Sequence, residues 1–229
     1  MFVNEIINQN IPCLEPEQTG EDGLRLMEEY MVRHLPVVKE DMVIGLVSED
    51  MIYDWDTNTP FSEYIFRGYP QVIHHDSHIL EAVEVIVKNN LTCVPVTDRN
   101  FKYLGLISLQ DAFQALSMEF ALDEPGAILV LEINRLDYSL TEISRIVESE
   151  KGAILSSFIS HPLDSDSNLV HVTLKISLQD IQFVKATFER YNYKVVATFS
   201  SVEYIDTLAE RYDALMHYQS EERRVGKEC

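Results

Sequence analysis

"YLGLISLQDAF", Tyr103 to Phe113, has a near copy earlier in the chain, "VIGLVSEDMIY", Val43 to Tyr53. Aligned on the glycines and serines, Ser108 stands opposite Ser48 and Asp111 opposite Met51. The likeness extends upstream. "LPVVKEDMVIGLVS" (Leu35 to Ser48) and "VPVTDRNFKYLGLIS" (Val94 to Ser108) share a Pro-Val pair, a polar turn, a Gly and a closing Ser. Each predicts two short apolar strands around a hairpin. Before each lies helical spacing: Leu24, Met27 and Met31 in the first copy, Ile79, Val83, Ile86 and Val87 in the second. A second helix is expected to begin at each Ser. The unit strand, helix, strand, strand, helix thus recurs about every 60 residues, with repeat one over about 1–57 and repeat two over about 60–121.

The paired "PVV"/"PVT" and "GLVS"/"GLISLQD" elements, in one order and spacing, resemble a tandem pair of CBS domains, named for cystathionine β-synthase. The resemblance covers roughly half the chain and implies two repeats packed sheet against sheet. It also implies clefts for an adenosine-containing regulatory ligand: AMP, ADP, ATP or S-adenosylmethionine, possibly with Mg, and no required cofactor. The family's Ser/Thr-x-x-Asp pattern is met by Ser108 and Asp111. A carboxylate can accept from both hydroxyls of a ribose, and the helix N-terminus beside it suits phosphate. Pro95, Val96 and Ile107 are the accompanying ligand-binding expectations. The first repeat offers a weaker cleft at Ser48, Pro36 and Val47, because Met51 lacks the carboxylate and the neighbouring Asp50 points about 100° away on a helix. Arg67, Arg99 and Lys102 are the local cations that could meet phosphate.

Composition narrows the partners. Of 229 residues 46% are hydrophobic, and 38 acidic against 18 basic side chains give a net charge of −20. Such a field repels nucleic acid and anionic membranes. Neither a basic leader nor an apolar run long enough to span a bilayer is visible, and three scattered cysteines (Cys13, Cys93, Cys229) make no disulfide framework. A cytoplasmic protein is expected. "HHDSH" (His74 to His78) has metal-ligand residue types, but the repeat puts Asp76 and Ser77 in the turn before a helix, where they are expected as caps. No phosphate loop, H-E-x-x-H or nucleophile elbow occurs, so no enzyme is expected and no metal site is assigned.

"LDEPG" (Leu122 to Gly126) reads as a linker over 122–126. Beyond it, "AILVLEI", a capping box at Ser139 and Glu142, "AILSSFI", the alternating "VHVTLKIS", a stripe at Ile181, Val184, Phe188 and Tyr191, and "YKVVATFS" follow in order. The predicted order strand, helix, strand, strand, helix, strand over 127–201 is a ferredoxin-like βαββαβ unit and resembles an ACT domain. No glycine stands between Gly126 and Gly152, where that family meets an amino-acid carboxylate, so dimerisation or signal transmission is its expected role. A helix is expected over 202–219. The last ten residues, "SEERRVGKEC", resemble the translation of a sequencing adapter, giving a non-native tail over 220–229. Taken together, the chain is expected to be an α+β, non-catalytic sensor: a homodimer that regulates an unidentified downstream protein. The alternative is a structural or interaction module with unoccupied clefts.

Overall fold

The structure, a computed structural model, describes residues 1–64, 70–162 and 168–200. Arg67, the helix expected over 202–219 and the tail over 220–229 lie outside the described residues. The chain divides into two compact units, Met1–Met118 and Glu119–Cys229. Among the described residues no helix is long and apolar enough to cross a membrane.

The first unit holds the repeat. Copy one contains α1 (Gly20–Glu29), β1 (His34–Lys39), β2 (Met42–Ser48) and α2 (Glu49–Tyr53); copy two contains β3 (Ile73–His74), α3 (Ile79–Lys88), β4 (Cys93–Thr97), β5 (Tyr103–Ser108) and α4 (Leu109–Glu119). Both hairpins are antiparallel, Leu35 facing Val47 and Val94 facing Ile107, and each carries a bulge at the same place, after Val37 and after Val96. The opening strand is matched as well: Leu14 pairs in parallel with Val37, as Ile73 does with Val96.

Helix ends follow one device. After α1 the chain turns through Met31 at φ 54°, and Val32 N–H donates back to Met27 C=O at 3.0 Å. After α3 it turns through Asn90 at φ 51°, with Leu91 N–H donating to Ile86 C=O at 2.9 Å. These are Schellman endings, which satisfy carbonyls left over at the last turn. Met31, expected on the apolar stripe of α1, is therefore past its end and 87% exposed. Helix starts also differ from expectation in two cases. Ser139 accepts from Glu142 N–H at 3.4 Å, but the return half of the expected capping box is not formed, and the Glu142 carboxylate accepts from Tyr193 OH at 3.1 Å. Asp76 and Ser77 do not cap α3; His78 does, its ring accepting from Leu80 N–H while Glu81 accepts from His78 N–H. The start is displaced because 75–77 are held in a turn, Ser77 N–H donating to His74 C=O at 3.0 Å while His75 C=O and Ser77 C=O accept from Asn4 and Val3 N–H, and Asp76 binds Arg99 at 2.8 Å.

That pairing reflects the main departure from chain order. Residues 2–8, at the head of the first repeat, complete the second: Phe2 bridges His78, Val3 is fully buried among Ile79, Val94 and Ile107, and Asn8 pairs with Leu106. They cover the edge of β5, which would otherwise offer unpaired backbone groups to another strand. The crossing requires Gly105, at φ +141°, because a Cβ there would come within 2.5 Å of Ile7 Cγ2 and 2.9 Å of Asn8 C=O.

The two copies meet through β1 and β4. Arg33 N–H donates to Thr92 Oγ1 at 2.8 Å, Thr92 N–H to His34 Nδ1 at 3.2 Å, and Cys93 Sγ to His34 C=O at 3.0 Å. Burial pushes the Cys93 thiol up to about 12, as befits an inert core residue. The hairpin tips join too, Tyr103 N–H donating to Asp41 C=O and Lys102 pairing with Asp41 at 3.0 Å.

In the second unit β6 (Ala127–Asn134), α5 (Leu140–Ser149), β7 (Ile154–Ser160), β8 (Leu169–Ile176), α6 (Gln182–Arg190) and β9 (Lys194–Phe199) form a four-stranded antiparallel sheet ordered β7-β8-β6-β9. Burial alternates strictly along β6 and β8, and Leu129, Leu131, Val172 and Leu174 pack against Ile143, Val147, Val184 and Phe188 of the two helices. Tyr191, expected to extend the α6 stripe, falls beyond its end and is exposed, because Asn192 takes φ 63° and closes the helix.

Gly105→Ala should cost about 2–4 kcal/mol in urea unfolding, since it combines a disfavoured φ with a backbone clash; a loss below about 0.5 kcal/mol would refute the crossing. A second expectation concerns pH. Burial, with the nearby Arg33 charge, holds the His34 imidazole below its ordinary 6.5. Unfolding therefore takes up a proton, so this contribution is present above about pH 6.5 and is lost as pH falls through that value. Denaturation midpoints measured from about pH 7.5 to about pH 5.5 should fall more steeply for the parent than for His34→Gln. Parallel profiles would remove His34 as the cause.

Candidate ligand-binding site

Ser108 ends β5 at the start of α4, and Asp111 lies one turn on. Asp111 N–H donates to Ser108 Oγ at 3.1 Å; in return Asp111 Oδ2 accepts from Ser108 N–H at 3.0 Å and from Ser108 Oγ at 2.6 Å. This reciprocal arrangement is a capping box with Asp in the third position, and it satisfies donors that the helix start leaves over. The segment that crosses β5 adds a further donor: Asn8 Nδ2 lies 3.1 Å from Asp111 Oδ2 and 3.3 Å from Oδ1.

Beside them opens a cleft of about 500 Å³ whose walls include Ile6, Asn8, Gln9, Asn10, Asp111 and Gln114. One carboxylate is thus surrounded by carboxamides, which can both donate and accept at the edge of a planar polar ligand. Sequence reasoning missed this amide rim. Its only local trace is the run Asn8-Gln9-Asn10, which by itself reads as an ordinary polar loop.

The other sequence-derived residues fall behind the cleft. Val96 and Ile107 are fully buried in the core between sheet and helices, and Pro95 is buried opposite Leu106. None of the three lines the cleft among its described residues, and Ser108 is itself buried and reaches the cleft only through its bonds to Asp111. Arg99 and Lys102 are spent at the hairpin tip, on Asp76 and Asp41.

In the first copy Ser48 caps α2, accepting from Met51 N–H at 3.1 Å, and Pro36 and Val47 are buried. Met51 supplies no return bond. Asp50 is turned outward onto Arg33 at 3.1 Å, and Glu49 also binds that arginine at 2.8 Å. A cleft of about 690 Å³ opens on this copy between α1 and α2, lined by Leu24, Met27, Arg33, Glu49 and Tyr53 rather than by Ser48, Pro36 or Val47.

The family model of the CBS domain matches the chain twice, over residues 3–57 and 64–118. This part of the chain is a tandem CBS domain pair. The CBS pair is what the chain shares with curated relatives. Inosine-5'-monophosphate dehydrogenase of Methanocaldococcus jannaschii is 23% identical over 129 residues, 56% of this chain and 26% of that enzyme. Homoserine O-acetyltransferase of Methanosarcina acetivorans is 24% identical over 115 residues, 47% of this chain and 20% of that enzyme. The chain therefore spans about a quarter or less of the length of either. Among solved structures, a CBS domain pair/ACT domain protein from Thermotoga maritima is similar at 23% identity and a TM-score of 0.45, over 52% of this chain and 98% of its own. CBSX2, solved in complex with AMP, is similar at 20% identity and a TM-score of 0.41, over 51% of this chain and 96% of its own.

Proposed function

We propose that the protein is a non-catalytic regulatory sensor whose CBS pair binds an adenosine-containing ligand at the cleft of Ser108 and Asp111. The observation that carries this reading is the Asp111 carboxylate on the wall of a 500 Å³ cleft, with Oδ1 engaged by a single 3.3 Å bond. An ionised acid at that place can accept a ribose hydroxyl, and the surrounding amides suit a nucleobase edge. The first copy supports no equal site, because Met51 replaces the acid and Asp50 is paired with Arg33. One ligand per CBS pair is the resulting count. AMP, ADP, magnesium-ATP and S-adenosylmethionine remain the candidate ligands. Among the described residues Cys13 and Cys93 are free thiols, which suits a reducing, cytoplasmic setting.

A second reading has its own observation. Asp111 already forms a capping box and receives Asn8, so its carboxylate is accounted for without any ligand. On that reading the pair is an interaction module with empty clefts.

We also assign to the second unit an ACT-like role in dimerisation, from its βαββαβ order and its sheet order β7-β8-β6-β9. The sheet face away from α5 and α6 carries Phe158 and Phe199, 45% and 60% exposed, opposite Thr173 and Ile128. Pairing that face between two copies would shift the equilibrium between arrangements on which a ligand-driven switch depends.

Melting temperatures with each of the four compounds, for the parent and Asp111→Ala, test the sensor reading. At 100 times its dissociation constant the true ligand adds about 2.7 kcal/mol to the parent. Asp111→Ala, compared with its own lower baseline, should lose that response; a variant that responds like the parent leaves Asp111 as a cap alone. Sedimentation equilibrium tests the second unit. The parent should sediment as a dimer and Phe158→Ser should dissociate at micromolar concentration, whereas a monomeric parent ends the dimer proposal.

A further inference from the structure

The two oxygens of Asp111 are unequally engaged. Oδ2 accepts from Ser108 N–H, Ser108 Oγ and Asn8 Nδ2 at 3.0, 2.6 and 3.1 Å, while Oδ1 accepts only from Asn8, at 3.3 Å. A carboxylate oxygen has about two lone-pair directions. The two Ser108 donors by themselves match those directions on Oδ2, so Asn8 is a third donor there, shared with Oδ1, while Oδ1 has room for another.

The three donors on Oδ2 are not equivalent. Both Ser108 donors belong to the cap of α4 and are fixed by the end of β5. Asn8 is held differently: its backbone pairs with Leu106 in both directions, at 2.8 and 3.1 Å, whatever its side chain does. Its amide faces Asp111 with nitrogen, because its own oxygen accepts from Asn10 N–H at 2.9 Å and would repel a carboxylate. This amide can leave Oδ2 with the Ser108–Asp111 cap and the Asn8–Leu106 backbone pairing both intact.

Taking the nucleotide reading of this cleft as given, we propose that Asn8 is a built-in competitor for Asp111, occupying the place where the second hydroxyl of a vicinal diol would donate. While the amide stays, a ribose is held through Oδ1 by one hydroxyl. When it swings away, the diol engages both oxygens. The ligand thus exchanges one donor for another at Oδ2, and its affinity is set below what the acid alone would give. The exchange also bears on the N-terminal segment, since the Asn8 side chain braces the turn at Asn10 and both residues line the cleft. Ligand occupancy is thereby coupled to the segment that covers β5.

Calorimetric titration of AMP and 2′-deoxy-AMP into the full chain, Asn8→Ala and Asn8→Ser tests this. Serine can still cap the Asn10 turn but is too short to reach Asp111, so it stands in if the alanine variant folds poorly. Both variants should bind AMP about tenfold more tightly than the parent. Their affinity for 2′-deoxy-AMP, which has no diol, should change by less than about twofold. An equal gain for both compounds means only that the cleft was enlarged, and a loss of AMP affinity means that Asn8 positions the acid; either overturns the proposal. If neither the parent nor the variants bind AMP, the competitor proposal fails, and if the melting series also shows no response to any of the four compounds, the sensor reading fails with it. A parent that binds AMP without a diol-selective gain in the variants sinks the competitor alone.

Discussion

The backbone pairing of Asn8 with Leu106 is the contact on which the rest of the first unit depends. By laying residues 2–8 across β5, it brings the start of the chain into the second repeat and buries Val3 in that repeat's core. It makes Gly105 obligatory, because the crossing backbone leaves no room for a Cβ. It also delivers the Asn8 amide to Asp111 and so builds one wall of the cleft. An isolated hairpin is marginal in water, and its open edge invites association. Covering that edge with a distant segment of the same chain answers both problems at once.

Asp111 is asked to do two things with one charge. As the third residue of the capping box it accepts from Ser108 N–H and steadies the start of α4. As a ligand acceptor it would offer a charge-assisted bond, typically stronger than a neutral one by about a factor of two. The two roles are compatible because a carboxylate has two oxygens and the cap uses one of them. The Met51 copy shows what remains when the acid is absent: Ser48 still caps, α2 still forms, and no acceptor is presented. A fold can thus keep a repeat's architecture while only one copy keeps its chemistry.

The large acidic excess is disposed in a consistent way around these elements. Arg33, Arg99 and Lys102 are each taken up by carboxylates of neighbouring loops and helix starts. Exposed pairs of this kind contribute little to stability, typically below about 1 kcal/mol. Their consequence is positional: these cations are held at the hairpin tips and at α2, leaving the carboxamides as the polar groups beside Asp111.

The repeat, the two hairpins, the caps at Ser48 and Ser108 and the βαββαβ order of the second unit were all legible in the sequence, because each follows from local periodicity or a signal within a few residues. So was the absence of an acid at Met51. What only the tertiary structure decided is non-local. Asn8 and Asp111 are 103 residues apart, and nothing in "NQN" distinguishes a cleft wall from a solvated loop. The cap at His78 was likewise decided by backbone hydrogen bonds between residues 1–4 and 75–79, which overrode the better capping types at Asp76 and Ser77. Met31 and Tyr191 kept helical spacing past the true helix ends, since a left-handed turn at a non-glycine residue leaves no mark in the hydrophobic pattern. Sequence alone determines which elements form and which acid is offered. Which backbone lies beside that acid, and hence how much of its charge is free, is settled by packing between segments that no local rule connects.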